Sequence, residues 1–375
     1  MIGANMPQDE TSKEQELREF YRSLITHFPD RSMKWLLQDK ENVRCLIEIV
    51  ASELVERIDF SQLELQNRSF VSNTLREQES DLLFSVPFKK GDDTDELLIY
   101  ILIEHQSVVD VSMGFRMLFY MMNIWDAQRK EWVSENVPKR EWKLSPILPI
   151  VLYSGDRRWR VPLSLTAIME IPDILTRFVP TFDTVFLSVK ETGTEELTKT
   201  GHPFGSLLTV LKNEKADKDT IIRSLNEAIA HLNTLEPEQS EQRLNALHYL
   251  VLLITNRRPQ TEHEELIDFV KQNANDMEID TMAKTMAEVY IEQGKMQGIE
   301  QGKKEGKKEG IEQGETLAKQ TNVIKLLTHQ FPETSDTIVN AILEIKECSQ
   351  LDALFDQILN AKTYDDIDLN GIGSQ

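Results

Sequence analysis

Residues Glu79–Ser107 read ESDLLFSVPFKKGDDTDELLIYILIEHQS. Two apolar runs, Leu82–Phe88 and Leu97–Ile103, flank the polar break Lys89–Glu96. Gly91, Asp92 and Asp93 give that break the content of a turn, so the stretch predicts a β-hairpin. Opposed residues of an antiparallel pair have position numbers with a constant sum. A turn centred between Asp92 and Asp93 therefore sets Asp81 directly opposite Glu104. Carboxylates so placed have Cβ atoms about 5 Å apart and repel unless something positive lies between them. A divalent cation with hard oxygen ligands answers that need, and magnesium suits it. The alternative is that each acid ends its strand in water. Pro87 costs the first strand one ladder hydrogen bond and hints at an edge or a bulge. The second strand, LLIYILI, is apolar without alternation, as in a central strand covered on both faces.

Outward from the hairpin, the chain reads as a mixed α/β core followed by helices. Ser12–His27, Arg31–Gln38 and Glu41–Ile58 have helical periodicity before it, and a short strand is expected near Ser69–Val71. Ser112–Trp125 follows as a helix whose polar stripe is Arg116, Tyr120 and Asn123. That stripe is either the solvated side of a packed helix or the lining of a site, with Arg116 and Tyr120 available to a phosphate. Ile147–Tyr153 and Phe182–Val189 are further strands. Basic residues alternate with tryptophan around them, from Arg129-Lys130 and Trp132 to Arg157-Arg158-Trp159-Arg160. Such clusters suit a nucleic-acid backbone and unstacked bases, and equally suit surface loops that cover a core.

Boundaries placed on these signals give a core over 12–215, a helical region over 216–290, a helical spacer over 291–320 and a short helical unit over 321–365. Residues 1–11 and 366–375 read as disordered. The spacer carries a glycine every fourth residue from Gly294 to Gly314. Each costs a helix about 1 kcal/mol relative to alanine. The stripe they form would let a second helix approach closely, so self-association through the helical C-terminal region is one expectation and a frayed spacer the other.

The net charge is −21 over 375 residues. An acidic total lowers the expectation of tight binding to phosphate backbones. No apolar run approaches 18 residues and no signal-like start is present, so neither membrane nor secretion is expected. Two distant cysteines, Cys45 and Cys348, argue against a disulfide framework and a zinc site and fit a cytoplasmic protein.

Several motifs in order carry a resemblance: SDLLFSV (80–86), LIEHQS (102–107), FRMLFYMMNIW (115–125), PILPIVLYSGDRRW (146–159), PLSL (162–165) and GHPFG (201–205). Over roughly residues 28–290 the chain resembles the Rpn family of recombination-promoting nucleases, a YhgA-like transposase group within the PD-(D/E)XK nuclease superfamily. The resemblance implies a PD-(D/E)XK-like mixed sheet flanked by helices, and a metal-dependent DNA endonuclease acting in recombination or transposition. It implies Asp81 and Glu104 as ligands of Mg²⁺ or Mn²⁺, with Gln106 at the position where the superfamily most often has lysine. A neutral amide orients by hydrogen bonding but cannot offset charge. Glu48, Glu53 and Asp30 are candidates for a further acid, and Arg116, Tyr120, Arg157 and Arg158 for phosphate contacts. DRSMK (30–34) resembles the family's HDxxFK start, with Pro29 in place of the histidine. The rival reading is a nuclease-fold protein that binds DNA or assembles without cutting.

Overall fold

The computed structural model describes residues 8–66, 81–89, 96–274 and 278–367. Three helices precede the sheet: α1 (Gln8–Thr26), α2 (Asp30–Leu36) and α3 (Lys40–Val50). Helix α1 starts at Gln8, inside the segment read as disordered. Helix α3 is started by Asp39, whose carboxylate accepts from the amides of Glu41 and Asn42. It stops at Val50, earlier than its periodicity predicts. Ala51 leaves the helical region (φ −153°, ψ 55°), and Ser52–Arg57 continues as a 3-10 turn.

The described residues form the strands β1 (Glu64–Leu65), β2 (Asp81–Lys89), β3 (Glu96–Gln106), β4 (Ile147–Tyr153) and β5 (Val185–Ser188), hydrogen-bonded in that order. Strands β2 and β3 are antiparallel, and Asp81 pairs with Glu104. Strands β3, β4 and β5 are parallel, so the sheet is mixed. Pro87 lies beyond the reach of β1, which pairs with Phe84 and Ser85; among the described residues its carbonyl accepts from the amide of Asp59 at 3.1 Å, next to a bridge from Ile58 to Phe88. The turn residues 90–95 and the strand expected near Ser69–Val71 lie outside the described residues.

Strand β3 is covered on both sides, as its unbroken apolar run predicts. Ile99, Ile101 and Ile103 face the core built on α1–α3, while Tyr100 and Leu102 face helix α4 (Met113–Ser134). Gly114 permits that second layer. A Cβ there would collide with the backbone of Ser164, so the PLSL segment can lie flat on α4.

Within the unit Met1–Tyr290 there follow α5 (Thr194–Thr198), α6 (Pro203–Lys212), α7 (Lys218–Leu232), α8 (Ser240–Arg257), α9 (Gln260–Ala274) and the start of α10 (Glu278–Gln330), with α11 (Asp336–Leu343) and α12 (Cys348–Asn360) in the second unit. The buried faces of α6–α9 join the same apolar cluster as α1–α3 and the sheet, through residues such as Leu208, Leu225, Leu250 and Leu266. The GHPFG motif builds one corner of it. Gly201 has φ +70°, His202 caps α6 by accepting from the amide of Phe204 at 3.2 Å, and Pro203 occupies the first turn, where its missing N–H costs nothing. Gly205 is needed because a Cβ would run into the carbonyl oxygen of Leu197.

The second unit is Ile291–Gln375. The glycine-repeat segment is helical, and a Cβ at any glycine from Gly294 to Gly314 would meet nothing within 4 Å. Val323, Leu327, Ile342, Leu351, Leu354 and Ile358 form a separate small core. Gln320 ties it together by donating to the carbonyls of Leu343 (2.9 Å) and Ile345 (2.8 Å). Ile367, in the tail read as disordered, is buried in that core, and residues 368–375 lie outside the described ones. No described helix is long and apolar enough to cross a membrane.

Candidate active site

Successive residues of a strand project to opposite faces, so the end of β3 presents two chemistries. Glu104 and Gln106 face α4; His105 faces α2. Glu104 is fully buried. An acid in that position is expensive unless paired. Arg116, on the first turn of α4, supplies the partner: its Nη2 lies 2.7 Å from Glu104 Oε1 and its Nη1 2.9 Å from Asp110 Oδ2. Nη2 also donates to the Tyr120 hydroxyl at 3.0 Å, and the guanidinium stands 5.8 Å from that ring's centroid. Gln106 Nε2 donates to the same Glu104 Oε1. The other oxygen, Oε2, has no hydrogen-bond partner among the described residues.

Asp110 is a member of this group that sequence reading passed over. Its Oδ1 accepts from the amide and hydroxyl of Ser112, an Asx turn leading into α4. Burial alone would raise its carboxyl. Hydrogen bonds from Ser112 and Arg116 outweigh that and hold it below the ordinary carboxylate range. The Asp-x-Ser pattern before a helix was the available signal.

On the opposite face His105 is buried, with Asp30 Oδ1 2.9 Å from its Nδ1 and Ser154 Oγ 3.0 Å from its Nε2. Ser107 Oγ reaches Asp30 Oδ2 at 3.4 Å. Burial would raise the Asp30 carboxyl, but contacts with His105 and Ser107 and the charge of Lys34 leave it lowered. An Asp–His–Ser chain was not legible along the sequence, because its members come from positions 30, 105 and 154.

The sequence-predicted site residues thus separate into groups. Glu104, Gln106, Arg116 and Tyr120 come together, and the backbone of Asp81 stands opposite Glu104 in the register. Asp30 meets His105 on the other face. Glu48 is half-buried on α3 and Glu53 is exposed on the 3-10 turn, and neither bonds to the Glu104 group among the described residues. Arg157 and Arg158 are exposed after β4, with Arg158 paired to Glu191 at 2.7 Å. The tryptophans of the basic clusters pack and donate to backbone carbonyls: Trp142 to Val137 at 3.0 Å and Trp159 to Val161 at 2.8 Å. Nearby cations are matched by acids, as Arg129 and Lys130 are by Asp126.

A buried carboxylate with one unsatisfied oxygen is a fit donor for a hard cation, and the register sets the backbone of Asp81 opposite it. Among the described residues no three His, Cys, Asp or Glu side chains converge on one point.

A family model described as "Putative transposase, YhgA-like" matches residues 27–243, more than half of the chain. The chain belongs to this family. Among curated proteins it is similar to recombination-promoting nuclease RpnD of Escherichia coli O157:H7, 33% identical over 148 residues, which is 39% of this chain and 52% of that protein. It therefore spans about half the length of that relative. It is 35% identical over 101 residues to recombination-promoting nuclease RpnA of E. coli K12, covering 26% of this chain and 29% of that protein. It is also 38% identical over 96 residues to the K12 protein named "Putative inactive recombination-promoting nuclease-like protein YjiP", covering 25% of this chain and 89% of that protein. No solved structure matches the chain.

Proposed function

We propose that this chain is a DNA nuclease that hydrolyses phosphodiester bonds at the end of β3 with Mg²⁺ or Mn²⁺. The observation that carries the reading is the register that sets Asp81 opposite a fully buried Glu104. Membership of a family whose relatives include named recombination-promoting nucleases supports it. Asp81 and Glu104 would hold the cation. When bound, such an ion supplies Lewis acidity to a scissile phosphate and acidifies water. Gln106, two residues on and on the same face, orients a water through its amide once that amide exchanges its bond to Glu104. Arg116 holds Glu104 in place and balances its charge in the absence of substrate. DNA is the substrate class, and the exposed Arg157, with Arg158 once it leaves Glu191, would meet its backbone.

A second reading rests on a specific feature. Arg116 and Gln106 already engage Glu104 Oε1, so that oxygen is partnered without any ion. A protein of this kind would bind DNA or assemble without cutting, in keeping with relatives named inactive. A plasmid-nicking assay with Mg²⁺ separates the two. The nuclease reading expects nicking by the wild type that Asp81→Ala and Glu104→Gln each abolish. Equal nicking by wild type and both variants, or none by any, would reject it.

A further inference from the structure

We propose that Asp30, His105 and Ser154 form a clamp that fixes the carboxyl end of β3 from the face opposite Glu104. Asp30 then serves the site as a positioning residue and not as a further acid bound to the ion. The role in catalysis rests on the nuclease reading above; the clamp itself does not.

Geometry excludes the simpler assignment. Asp30 contacts His105 Nδ1 at 2.9 Å, and His105 and Glu104, as strand neighbours, project to opposite sides of the sheet. The acid offered by the start of α2 therefore approaches the layer behind Glu104. What it touches there is built to hold a strand end. His105 spans two elements, with Asp30 at the start of α2 on one ring nitrogen and Ser154, just past β4, 3.0 Å from the other. Ser154 closes the loop through its backbone, donating its N–H to the carbonyl of Gln106 at 2.9 Å. Ser107 Oγ adds a contact of 3.4 Å to the second Asp30 oxygen. Gly155 is required beside it, because a Cβ would collide with the Ser107 carbonyl. Residues 104–107 are thereby held from α2 and from the end of β4.

The order Asp–His–Ser matches a hydrolytic triad, but His105 is 2% and Ser154 5% exposed, so no substrate reaches the hydroxyl. A buried chain of charged and polar contacts of this type fixes orientation instead. The consequence falls on Glu104 and Gln106, whose side chains start from the backbone that the clamp immobilises. Misplacing a reacting group by an ångström is enough to cost about a hundredfold in rate.

Hydrogen exchange on the full-length chain, read by mass spectrometry, tests the clamp with no reference to cleavage. Asp30→Asn and His105→Leu are expected to speed exchange over 104–107 by about tenfold or more, leaving 99–102 at the wild-type rate. The double variant is expected to match the worse single, because the residues act as one unit. Ser154→Ala removes one oxygen and gives the same pattern if either larger change prevents folding. Unchanged exchange over 104–107 in the folded variants overturns the proposal, as does an additive double. In nicking, Asp30→Asn is expected to lower kcat about tenfold at unchanged KM, with no further loss on adding His105→Leu. Multiplicative losses would make Asp30 an independent participant and overturn the clamp. A wild type that does not nick, with loosening still seen at 104–107, removes the nuclease reading and leaves the clamp standing.

Discussion

Glu104 carries its charge where water does not reach, and one guanidinium answers it. Arg116→Ala would leave that carboxylate unpaired, and a loss of about 3–5 kcal/mol is expected from urea unfolding. Arg116→Lys is expected to fall between, since a single ammonium cannot fork between Glu104 and Asp110. His202 gives a pH signature. Burial pushes its imidazole down from an ordinary 6.5 to about 4. Between those values the unfolded chain binds the proton and the folded one does not, so stability rises with pH across that window and is complete above 6.5. The contribution is on the order of 3 kcal/mol at most. Urea midpoints for wild type and His202→Asn between pH 4 and 7 should converge at the acid end and separate toward neutrality. A parallel pair of curves would show that His202 does not titrate this way. The pairing of Glu104 with Gln106 is readable in sequence, since residues two apart on a strand share a face. That Arg116 closes the site is not, because the polar stripe on α4 suits either solvent or a site equally well.

At the level of the element, glycines of one chain serve opposite ends. Gly205 lets α6 pass within contact of the Leu197 carbonyl. Gly302, in the repeat of α10, faces open space. Gly205→Ala should cost about 1–3 kcal/mol through forced displacement of the packed helix. Gly302→Ala should strengthen its helix by about 1 kcal/mol. Hydrogen exchange of 298–306 reads the second, as slower exchange around the substitution, and thermal unfolding reads the first. Faster exchange in Gly302→Ala would mean that the glycine meets a partner helix. The long apolar run of β3 announced a central strand, and the helix predicted to start at Ser112 does start there, at Met113. The early stop of α3 was hidden, because Ala51 is a good helix former and only its backbone geometry ends the helix.

Across the whole molecule the net charge of −21 sets the terms for DNA. Several of the cations expected to meet phosphate are engaged by acids: Arg116 by Glu104 and Asp110, Arg129 and Lys130 by Asp126, Arg158 by Glu191. Few phosphates can then be neutralised. A plot of log affinity against log salt between 50 and 200 mM should be shallow, with a slope of about 3 or less in magnitude by fluorescence anisotropy. A slope of about 6 or more would reveal a basic surface that these pairings do not allow. The hairpin, its register and the burial of β3 on both faces were legible from the order of residues alone. Those follow from turn chemistry and from a two-residue period, which act between neighbours along the chain. Packing in the folded chain sets the rest: Arg116 pairs with Glu104, Asp30 meets His105 behind the strand, and α6–α9 share the core of the sheet. Those contacts join residues far apart in sequence, and they depend on how each helix is turned about its axis when its apolar face is buried.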